Sequence, residues 1–327
     1  MRSVRREAVA VAVGIVLVVT AFVVPHLKLG IVTPLIHLTP QRFRDFADTA
    51  PIFGLWNAHV GWGTVPAIVI GYGVALWGPT VVHRVPWRAL PWITWATSCA
   101  WAFALAMVDG WQRGFAGRLT TRFEYLHQVP TITDIGEAVR TFSSRIPDFQ
   151  PNSWITHVSG HPPGALLTFV WLDRIGLAGG AWAGLWCLLI GSSAAAAIVI
   201  ALRTLSDETL ARRAAPFVAV APTAIWVAVS GDGYFAGVAA WGMALLALAV
   251  RQAVRLPMPA AIGAGLLLGW GVFLNYGLVL MALPAAAVLL CAADRRSAVR
   301  VLIPAVVAAA IVGAAFIDAG FWWFDGY

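Results

Sequence analysis

The feature that most constrains this chain is a series of long apolar runs that repeats from one end to the other. A helical run of about 20 apolar residues spans the hydrocarbon core of a bilayer, where every backbone polar group must be satisfied internally. Only 11% of the 327 residues are charged and 60% are hydrophobic, whereas a soluble domain carries about 25% charged residues. The sequence therefore predicts an all-α, multi-pass membrane protein.

We expect about nine transmembrane helices from windows of apolar sequence. They are Ala8–Leu27, Val60–Thr80, Ala89–Val108, Gly180–Leu202, Ala214–Ser230, Tyr234–Val250, Met258–Leu274, Gly277–Ala292 and Val301–Ile317. The N-terminal run is long enough to remain as an anchor and lacks a clear cleavage site. Gly164–Leu177 is also apolar, but it is short and contains Asp173 and Arg174, so we expect a re-entrant or interfacial helix there.

The arginines indicate which way the helices run. With the N-terminus in the cytoplasm, the short inner segments contain Arg2, Arg5, Arg6, Arg84, Arg88, Arg203, Arg212, Arg213, Arg251, Arg255, Arg295, Arg296 and Arg300. Most acidic residues fall in the outer segments, as the positive-inside rule requires of a cell-membrane protein. If Gly164–Leu177 crossed the membrane, every later basic loop would face outward. The formal charge of +7 thus reflects topology, and we expect a lipid bilayer and no nucleic acid as partner.

The chain divides into an N-terminal part, 1–88, with two transmembrane helices and an outer loop, and a core, 89–327. The core contains a long extracytoplasmic loop, 109–179, and long loops tend to carry function. Within it, "TDIGEAVRTFSSRI" places Ile135, Val139, Phe142 and Ile146 on one helical face behind a capping residue, Asp134. This pattern predicts an amphipathic juxtamembrane helix, lying on the outer leaflet or packed inside a small lobe.

The stretch "THVSGHPPGALLTFVW" places two histidines, His157 and His161, before a Pro-Pro step. Pro162 disfavours helical angles at His161, and Pro163 suits the first turn of a following helix. We therefore expect the histidines on extended chain beside a helix N-terminus, whose free N–H groups favour an anion. Phosphate binding is one interpretation; the other is that both imidazoles only satisfy nearby backbone carbonyls.

The order of these features resembles the GT-C superfamily of membrane glycosyltransferases. The matching elements are a span ending in "ALAMVDG", an outer loop with "TRFEYLHQV", a surface helix, "HPPGALLTFVWLDRIGL", and "ARRAAPFVAVAPTAIWVAVSGDGYFAG". The chain is most similar to the branch with protein O-mannosyltransferases, lipid A aminoarabinose transferases and related actinobacterial proteins, over about 89–250. It lacks that group's adjacent acidic pair and has fewer spans, and its end directly after a span also fits a fragment of a longer protein.

The resemblance implies transfer of a sugar from a polyprenyl-phosphate donor to an extracytoplasmic acceptor, with inversion at the sugar carbon. A carboxylate would take the acceptor proton, and cations would bind the leaving phosphate. Asp109 matches the family's position at the membrane exit, and Glu124 matches its aromatic-acid-aromatic setting, so both are candidate bases. The candidates for binding substrate and phosphate are Arg118, Arg122, His157, His161 and Asp232.

No cofactor is indicated by the residues themselves. A divalent metal occurs in the superfamily, but the spacing of the acids predicts no ligand set, and the three cysteines form no zinc or disulfide pattern. Two other functions remain open: a transporter or flippase for a lipid-linked substrate, and a non-catalytic membrane scaffold. A transporter places ionisable residues or broken helices within the membrane, so convergence of the acids and histidines on one outer cleft favours the enzyme.

Overall fold

The computed structural model describes residues 2–27 and 59–326, which belong to two compact units. The first unit ends at His59, and its described part is helix α1 (Arg2–Val23) with a following 3₁₀ turn. The predicted outer loop of this unit lies largely in 28–58, outside the described residues. The second unit begins at Val60 and contains every residue that the sequence places in the functional site.

Every regular element described in the second unit is helical. The α-helices are α2 (Thr64–Arg84), α3 (Leu90–Ala106), α4 (Tyr125–Gln128), α5 (Ile135–Arg140), α6 (Thr156–Ser159), α7 (Pro163–Arg174), α8 (Gly180–Leu205), α9 (Glu208–Ala219), α10 (Ala224–Val227), α11 (Gly231–Val250), α12 (Pro257–Leu274), α13 (Ala282–Leu289), α14 (Arg295–Asp318) and α15 (Trp323–Gly326). A π-helix covers Trp111–Ala116, and 3₁₀ turns cover Arg118–Thr120, Val129–Thr131, Ser143–Arg145 and Tyr276–Met281.

Five of the helices in the described residues are long and apolar enough to cross a membrane, namely α2, α8, α11, α12 and α14. They make the protein a multi-pass membrane protein by length and composition. The expected number of about nine is not reached by this criterion. Helix α3 has 17 residues, and the predicted span Gly277–Ala292 begins as a 3₁₀ turn before the eight residues of α13.

The predicted continuous span Ala214–Ser230 is wrong. Helix α9 ends at Ala219, and after a turn only the four residues of α10 are helical. Proline explains the break, because Pro222 has no N–H to donate and its ring clashes with the carbonyl one turn earlier. The Ala221 carbonyl at the break accepts from the Ala224 N–H (3.1 Å) and from the Trp101 indole (3.2 Å), so a neighbouring helix contributes to the hydrogen bonding of the backbone there.

Helices α8 and α11 run in parallel and approach each other through glycine. A Cβ added at Gly237 would lie 2.2 Å from the Ile190 carbonyl oxygen, and one added at Gly191 would lie 2.9 Å from the Gly233 backbone. In a bilayer the hydrophobic effect does not drive helices together, and small residues favour their association by allowing close packing. The first turn of α11 is therefore fixed beside Ile190 and Gly191, about three turns into α8.

The opposite end, here called the arginine face, is held by Arg203 and Arg212. The Arg212 guanidinium donates to the carbonyls of Val82 and Val85 and pairs with Glu208. Arg203 lies over the Trp87 ring, 4.3 Å from its centroid. These contacts join the C-terminal ends of α2 and α8 to α9, so loops predicted to face the same side of the membrane do meet.

The segment 109–179 forms a lobe between α3 and α8. Its core contains Phe142 and Trp154, whose rings lie 5.1 Å apart, and Phe142 also meets Phe321 from beyond α14 at 5.6 Å. Asp134 caps α5 by accepting from the Glu137 N–H (3.0 Å), as predicted. The helix nevertheless ends at Arg140, and its apolar face is buried in the lobe, which favours the packed alternative over the leaflet surface.

Helix α7 begins at Pro163, where the Pro-Pro step predicted it. All residues from Pro163 to Val170 are buried, so the first two turns of α7 are enclosed by protein and do not lie on a lipid surface. A Cβ at Gly164 would lie 2.5 Å from the Phe273 carbonyl oxygen. The end of α12 therefore covers the first turn of α7, and the expected open anion site at this N-terminus is not present.

The α8–α11 contact predicts that Gly237→Ala lowers thermal stability, because the added methyl meets the Ile190 carbonyl and the helices must separate. Overpacking of this kind costs about 1–3 kcal/mol. Gly313→Ala is the matched control, since no atom lies within 4 Å of its Cβ position. Thermal unfolding in detergent should show a lower midpoint for the first variant only; equal midpoints would contradict the packing.

Candidate functional site

Glu124 and His157 form the central pair of the candidate site. Glu124 precedes α4 and its side chain is 9% exposed, whereas His157 lies in α6 and its ring is 45% exposed. The Nδ1 of His157 lies 2.9 Å from Glu124 Oε2. The His157 backbone N–H also donates to the Phe123 carbonyl (3.2 Å). The two short segments are thus joined by both main chain and side chain.

The Glu124 carboxylate changes the protonation of His157. The hydrogen bond that His157 donates to Glu124 raises the pKa of His157 above its usual value. This effect outweighs the opposing effect of burial. Because Nδ1 donates to Glu124, Nε2 is the ring nitrogen left to exchange a proton with a ligand. A buried carboxylate that orients an imidazole in this way prepares it for acid-base chemistry.

His161 is held by two contacts at one nitrogen. Its Nδ1 lies 2.8 Å from the His157 carbonyl oxygen and 2.9 Å from the Tyr125 hydroxyl oxygen. Because a carbonyl can only accept, Nδ1 carries the hydrogen and Nε2 of the neutral ring is an acceptor. Burial lowers the pKa of His161, which favours this neutral form. The pKa values of the two imidazoles are therefore shifted in opposite directions within one small cluster.

Aromatic rings enclose the histidines. Tyr125 is buried and stacks on Phe169 of α7 at 5.2 Å, while the His161 ring lies 5.5 Å from Phe235 of α11. Burial raises the pKa of Tyr125 strongly, with further contributions from the charges of Asp232 and Glu124. The phenol therefore stays protonated, and its hydroxyl accepts from His161 while keeping a hydrogen to donate.

Asp232 brings a second negative charge to the cluster from α11. It is exposed in the first turn of that helix, behind Ser230, whose hydroxyl accepts from the Gly233 N–H (3.2 Å). Its charge raises the pKa of both His157 and His161. Asp232 forms no hydrogen bond or ion pair with other described residues, so its carboxylate remains open to a ligand.

Asp109 and Arg118 line a neighbouring cavity of about 300 Å³, here called the head cavity. Asp109 is paired with Arg113 (2.7 Å) at the membrane end of α3. Arg118 is exposed, and its charge slightly opposes protonation of His157, so it also acts on the central pair. The head cavity and the histidine cluster are therefore linked electrostatically through Arg118.

Five of the seven predicted site residues are connected in the structure. Glu124, His157, His161 and Asp232 form the cluster, and Arg118 acts on it through its charge. Asp109 instead lies with Arg118 in the head cavity. Arg122 is exposed over the Phe123 ring, 4.6 Å from its centroid, and makes no described contact with the cluster. The histidines were expected on extended chain, but His157 lies in the single turn of α6.

Sequence reasoning missed Tyr125 and Phe235 as parts of the site. Tyr125 stands directly after Glu124 in "RFEYL", and that adjacency was an available signal. Phe235 carried no signal of its own, because an aromatic residue near the start of an apolar helix is ordinary. Within residues 2–27 and 59–326, no three His, Cys, Asp or Glu side chains are arranged to hold a metal ion.

Comparison with known proteins gives no relative for this chain. No family model matches the sequence, no curated protein matches it, and no solved structure matches the fold. The function is therefore inferred from the geometry of the site.

The pH dependence of stability should report the Glu124–His157 pair. Because the folded pKa of His157 is raised, its stabilising contribution is complete below about pH 6.5, the unfolded value, and is lost as pH rises through the folded pKa. Glu124→Gln should therefore lower the unfolding temperature most below about pH 6.5, with the difference shrinking in alkaline solution. Glu137→Gln, another carboxylate of the lobe, is the control.

A constant difference between Glu124→Gln and the parent chain from acid to alkaline pH would contradict the raised pKa of His157. Histidine ¹⁵N spectra of the two proteins, recorded over the same range, provide an independent check of which ring changes its titration.

Proposed function

We propose that the protein is an inverting glycosyltransferase of the cell membrane, which moves a sugar from a polyprenyl-phosphate donor to an extracytoplasmic acceptor hydroxyl. The observation that carries the proposal is the Glu124–His157 pair, a buried carboxylate 2.9 Å from a half-exposed imidazole. Such a pair activates a hydroxyl. The exposed guanidinium of Arg118, whose charge acts on His157, suits a phosphate.

The proton step follows from the orientation of His157. The acceptor hydroxyl gives its proton to Nε2 of His157 while its oxygen attacks the anomeric carbon of the donor. Glu124 stabilises the imidazolium that forms, because Nδ1–H already donates to Oε2. The raised pKa requires that His157 first lose its own proton, so the rate should increase with pH until the pair is deprotonated.

The leaving step needs positive charge beside the phosphate. As the bond between the anomeric carbon and the phosphate oxygen breaks, the phosphate retains the electron pair, and Arg118 offsets its charge. Neutral His161 and the Asp232 side chain supply acceptors for the hydroxyl groups of a sugar. In this arrangement Glu124 acts with His157 as the base, and Asp109, bound to Arg113, shapes the head cavity.

The sidedness of the membrane protein supports the same proposal. Helices α8 and α11 start at the site, and the arginine face lies at their other ends. By the positive-inside rule we infer that the arginine face is cytoplasmic and the lobe extracytoplasmic. A lipid-linked phosphate sugar would then meet the cluster at the outer membrane surface.

A second candidate function, movement of a lipid-linked substrate across the membrane, is favoured by one observation. The break between α9 and α10 interrupts a predicted span, and broken helices line substrate paths in transporters. Transfer activity separates the two proposals, because a transporter moves its substrate without cleaving the bond between sugar and phosphate.

The test is sugar transfer by purified protein in lipid vesicles, with a panel of radiolabelled polyprenyl-phosphate sugars as donors. Glu124→Gln should reduce kcat about 10²–10⁴-fold, the usual contribution of a positioned base. Asp109→Asn should have a smaller effect. Asp148→Asn, an exposed carboxylate of the lobe, is the control and should retain full activity.

The unfolding temperature of each variant is measured beside its activity, and activity is compared well below that temperature. Loss of folding is thereby distinguished from loss of chemistry. Transfer by Glu124→Gln at the parent rate would remove this residue from the mechanism. Absence of transfer by the folded parent chain with every donor would contradict the proposed enzyme.

A further inference from the structure

A groove lies on the side of the helix bundle, where α9 packs against α2 and α3. It measures about 280 Å³ and reaches Val82, Val85 and Leu90 at the arginine face. Its lining is apolar apart from two threonines, and the hydroxyl of one of them, Thr94, already donates to the Leu90 carbonyl (2.8 Å). This space, here called the side groove, therefore suits a hydrocarbon chain.

Two glycines of α2 leave the side groove open. A Cβ added at Gly78 would lie 3.1 Å from the Pro216 Cβ, so α2 and α9 touch there. A Cβ added at Gly73 would meet only the Trp77 ring of its own helix, at 3.7 Å. Trp77 is 65% exposed and Val81 is 42% exposed. Beside Gly73 the groove is therefore wide, and it opens toward the surrounding lipid.

The end of the side groove at the arginine face is bordered by positive charge. Arg84 lies one helical turn beyond Val81, which lines the groove. In the loop from α2 to α3, Arg88 lies between the lining residues Val85 and Leu90. Both arginines are exposed, so two guanidinium groups are available where the groove ends.

Helix α9 adds a third arginine at this end. Arg213 is exposed and lies one turn before Pro216, which lines the groove. Leu210 and Phe217, on the same side of α9 as Arg213, are 45% and 77% exposed. An exposed face that combines large apolar side chains with an arginine suits the membrane interface, where the guanidinium reaches the head groups.

The nearby acidic residues do not neutralise this charge. The segments 84–90 and 203–213 contain five arginines and two acids. Glu208 is shared between Arg203 (2.9 Å) and Arg212 (2.7 Å). Asp207 caps α9 by accepting a backbone N–H (2.8 Å) and acts on Arg213 only from beyond salt-bridge distance. The three exposed arginines form no salt bridge with other described residues, so an anionic ligand can bind there.

The size and charge of the side groove select the ligand. A volume of about 280 Å³ lies just below the range for sites that enclose a small molecule, about 300–1,000 Å³. The groove therefore holds part of one acyl chain, and the rest of the lipid stays in the bilayer. Basic pockets between membrane helices bind anionic lipid head groups, because each arginine near the membrane surface adds to the attraction.

We propose that the side groove binds an anionic glycerophospholipid from the leaflet at the arginine face. The phosphate lies among Arg84, Arg88 and Arg213, and one acyl chain lies against Gly73. The Glu124–His157 pair lies at the opposite end of the bundle, so this lipid site does not depend on the proposed function.

The test uses phosphatidylglycerol with a diazirine on one acyl chain, photolysed with the full chain in phosphatidylcholine nanodiscs. Phosphatidylcholine with the same diazirine is the neutral comparison. Peptide mapping should find the phosphatidylglycerol label on α2, α3 or α9, at a yield several times that of phosphatidylcholine. The reason is that only phosphatidylglycerol combines the acyl chain with a net negative head group.

Arginine variants test the position of the head group. Arg84→Gln, Arg88→Gln and Arg213→Gln should each reduce the phosphatidylglycerol yield about fivefold, because each removes one positive charge at the surface. Arg255→Gln is the matched control, since Arg255 is an exposed arginine of the loop between α11 and α12, which contributes no residue to the side groove. It should label like the parent.

Gly73→Leu tests the position of the acyl chain. The new side chain enters the groove without meeting the backbone of another helix, and it should remove most of the label from α2 and α3. Gly313→Leu is the matched control, because no atom lies within 4 Å of its Cβ position. Unfolding temperatures in the same nanodiscs verify that each variant is folded.

Equal yields from the two lipids would show ordinary contact with bulk lipid and would overturn the site. Phosphatidylglycerol labelling that all three groove arginine variants leave unchanged would overturn it as well. Labelling that persists in folded Gly73→Leu at the parent yield would contradict the placement of the chain. Sugar transfer does not enter any of these readouts, so the lipid site and the proposed enzyme can fail independently.

Discussion

The close approach of α8 and α11 is the constraint on which the rest of the second unit depends. Two helices that touch through Gly191, Gly233 and Gly237 cannot slide or rotate far without a backbone collision. The first turn of α11 is consequently a fixed base for part of the lobe. Asp232 and Phe235 extend from that base toward His161, so an element within the membrane determines part of a site in the lobe.

The site itself combines two imidazoles in different environments. His157 is half exposed and bound to a carboxylate, which favours its charged form, whereas His161 is buried among aromatic rings and favours its neutral form. One hydrogen bond from His161 to the His157 carbonyl connects them. A cluster with this asymmetry can hold a proton on one ring while the other accepts a hydrogen bond from a ligand.

Much of this arrangement followed from local sequence rules. The apolar runs predicted the membrane class, Pro162 and Pro163 predicted the start of α7, and Asp134 predicted a helix cap. The sequence also placed Glu124, His157, His161 and Asp232 among the candidates. The predictions of the membrane class, of the start of α7 and of the helix cap succeeded because each depends on a few neighbouring residues, on hydropathy or on a backbone angle that proline fixes.

Other features depend on contacts between distant parts of the chain. The pairing of Glu124 with His157 joins residues 33 positions apart, and no periodicity signals it. Helix α12 helps to bury α7, and Phe142 packs against Trp154 and against Phe321 from beyond α14. The break after α9 was missed because hydropathy alone does not register that Pro222 interrupts an apolar run.

The contact between Phe142 and Phe321 has a consequence for biosynthesis. Phe321 is buried in the same apolar cluster as Phe142, yet it is encoded after the last membrane-length helix of the described chain. Because the ribosome synthesises residues in order, the contact between Phe142 and Phe321 cannot form until α14 has been translated. Assembly of the histidine cluster is thereby placed late in the life of the nascent polypeptide, behind the completion of its membrane anchor.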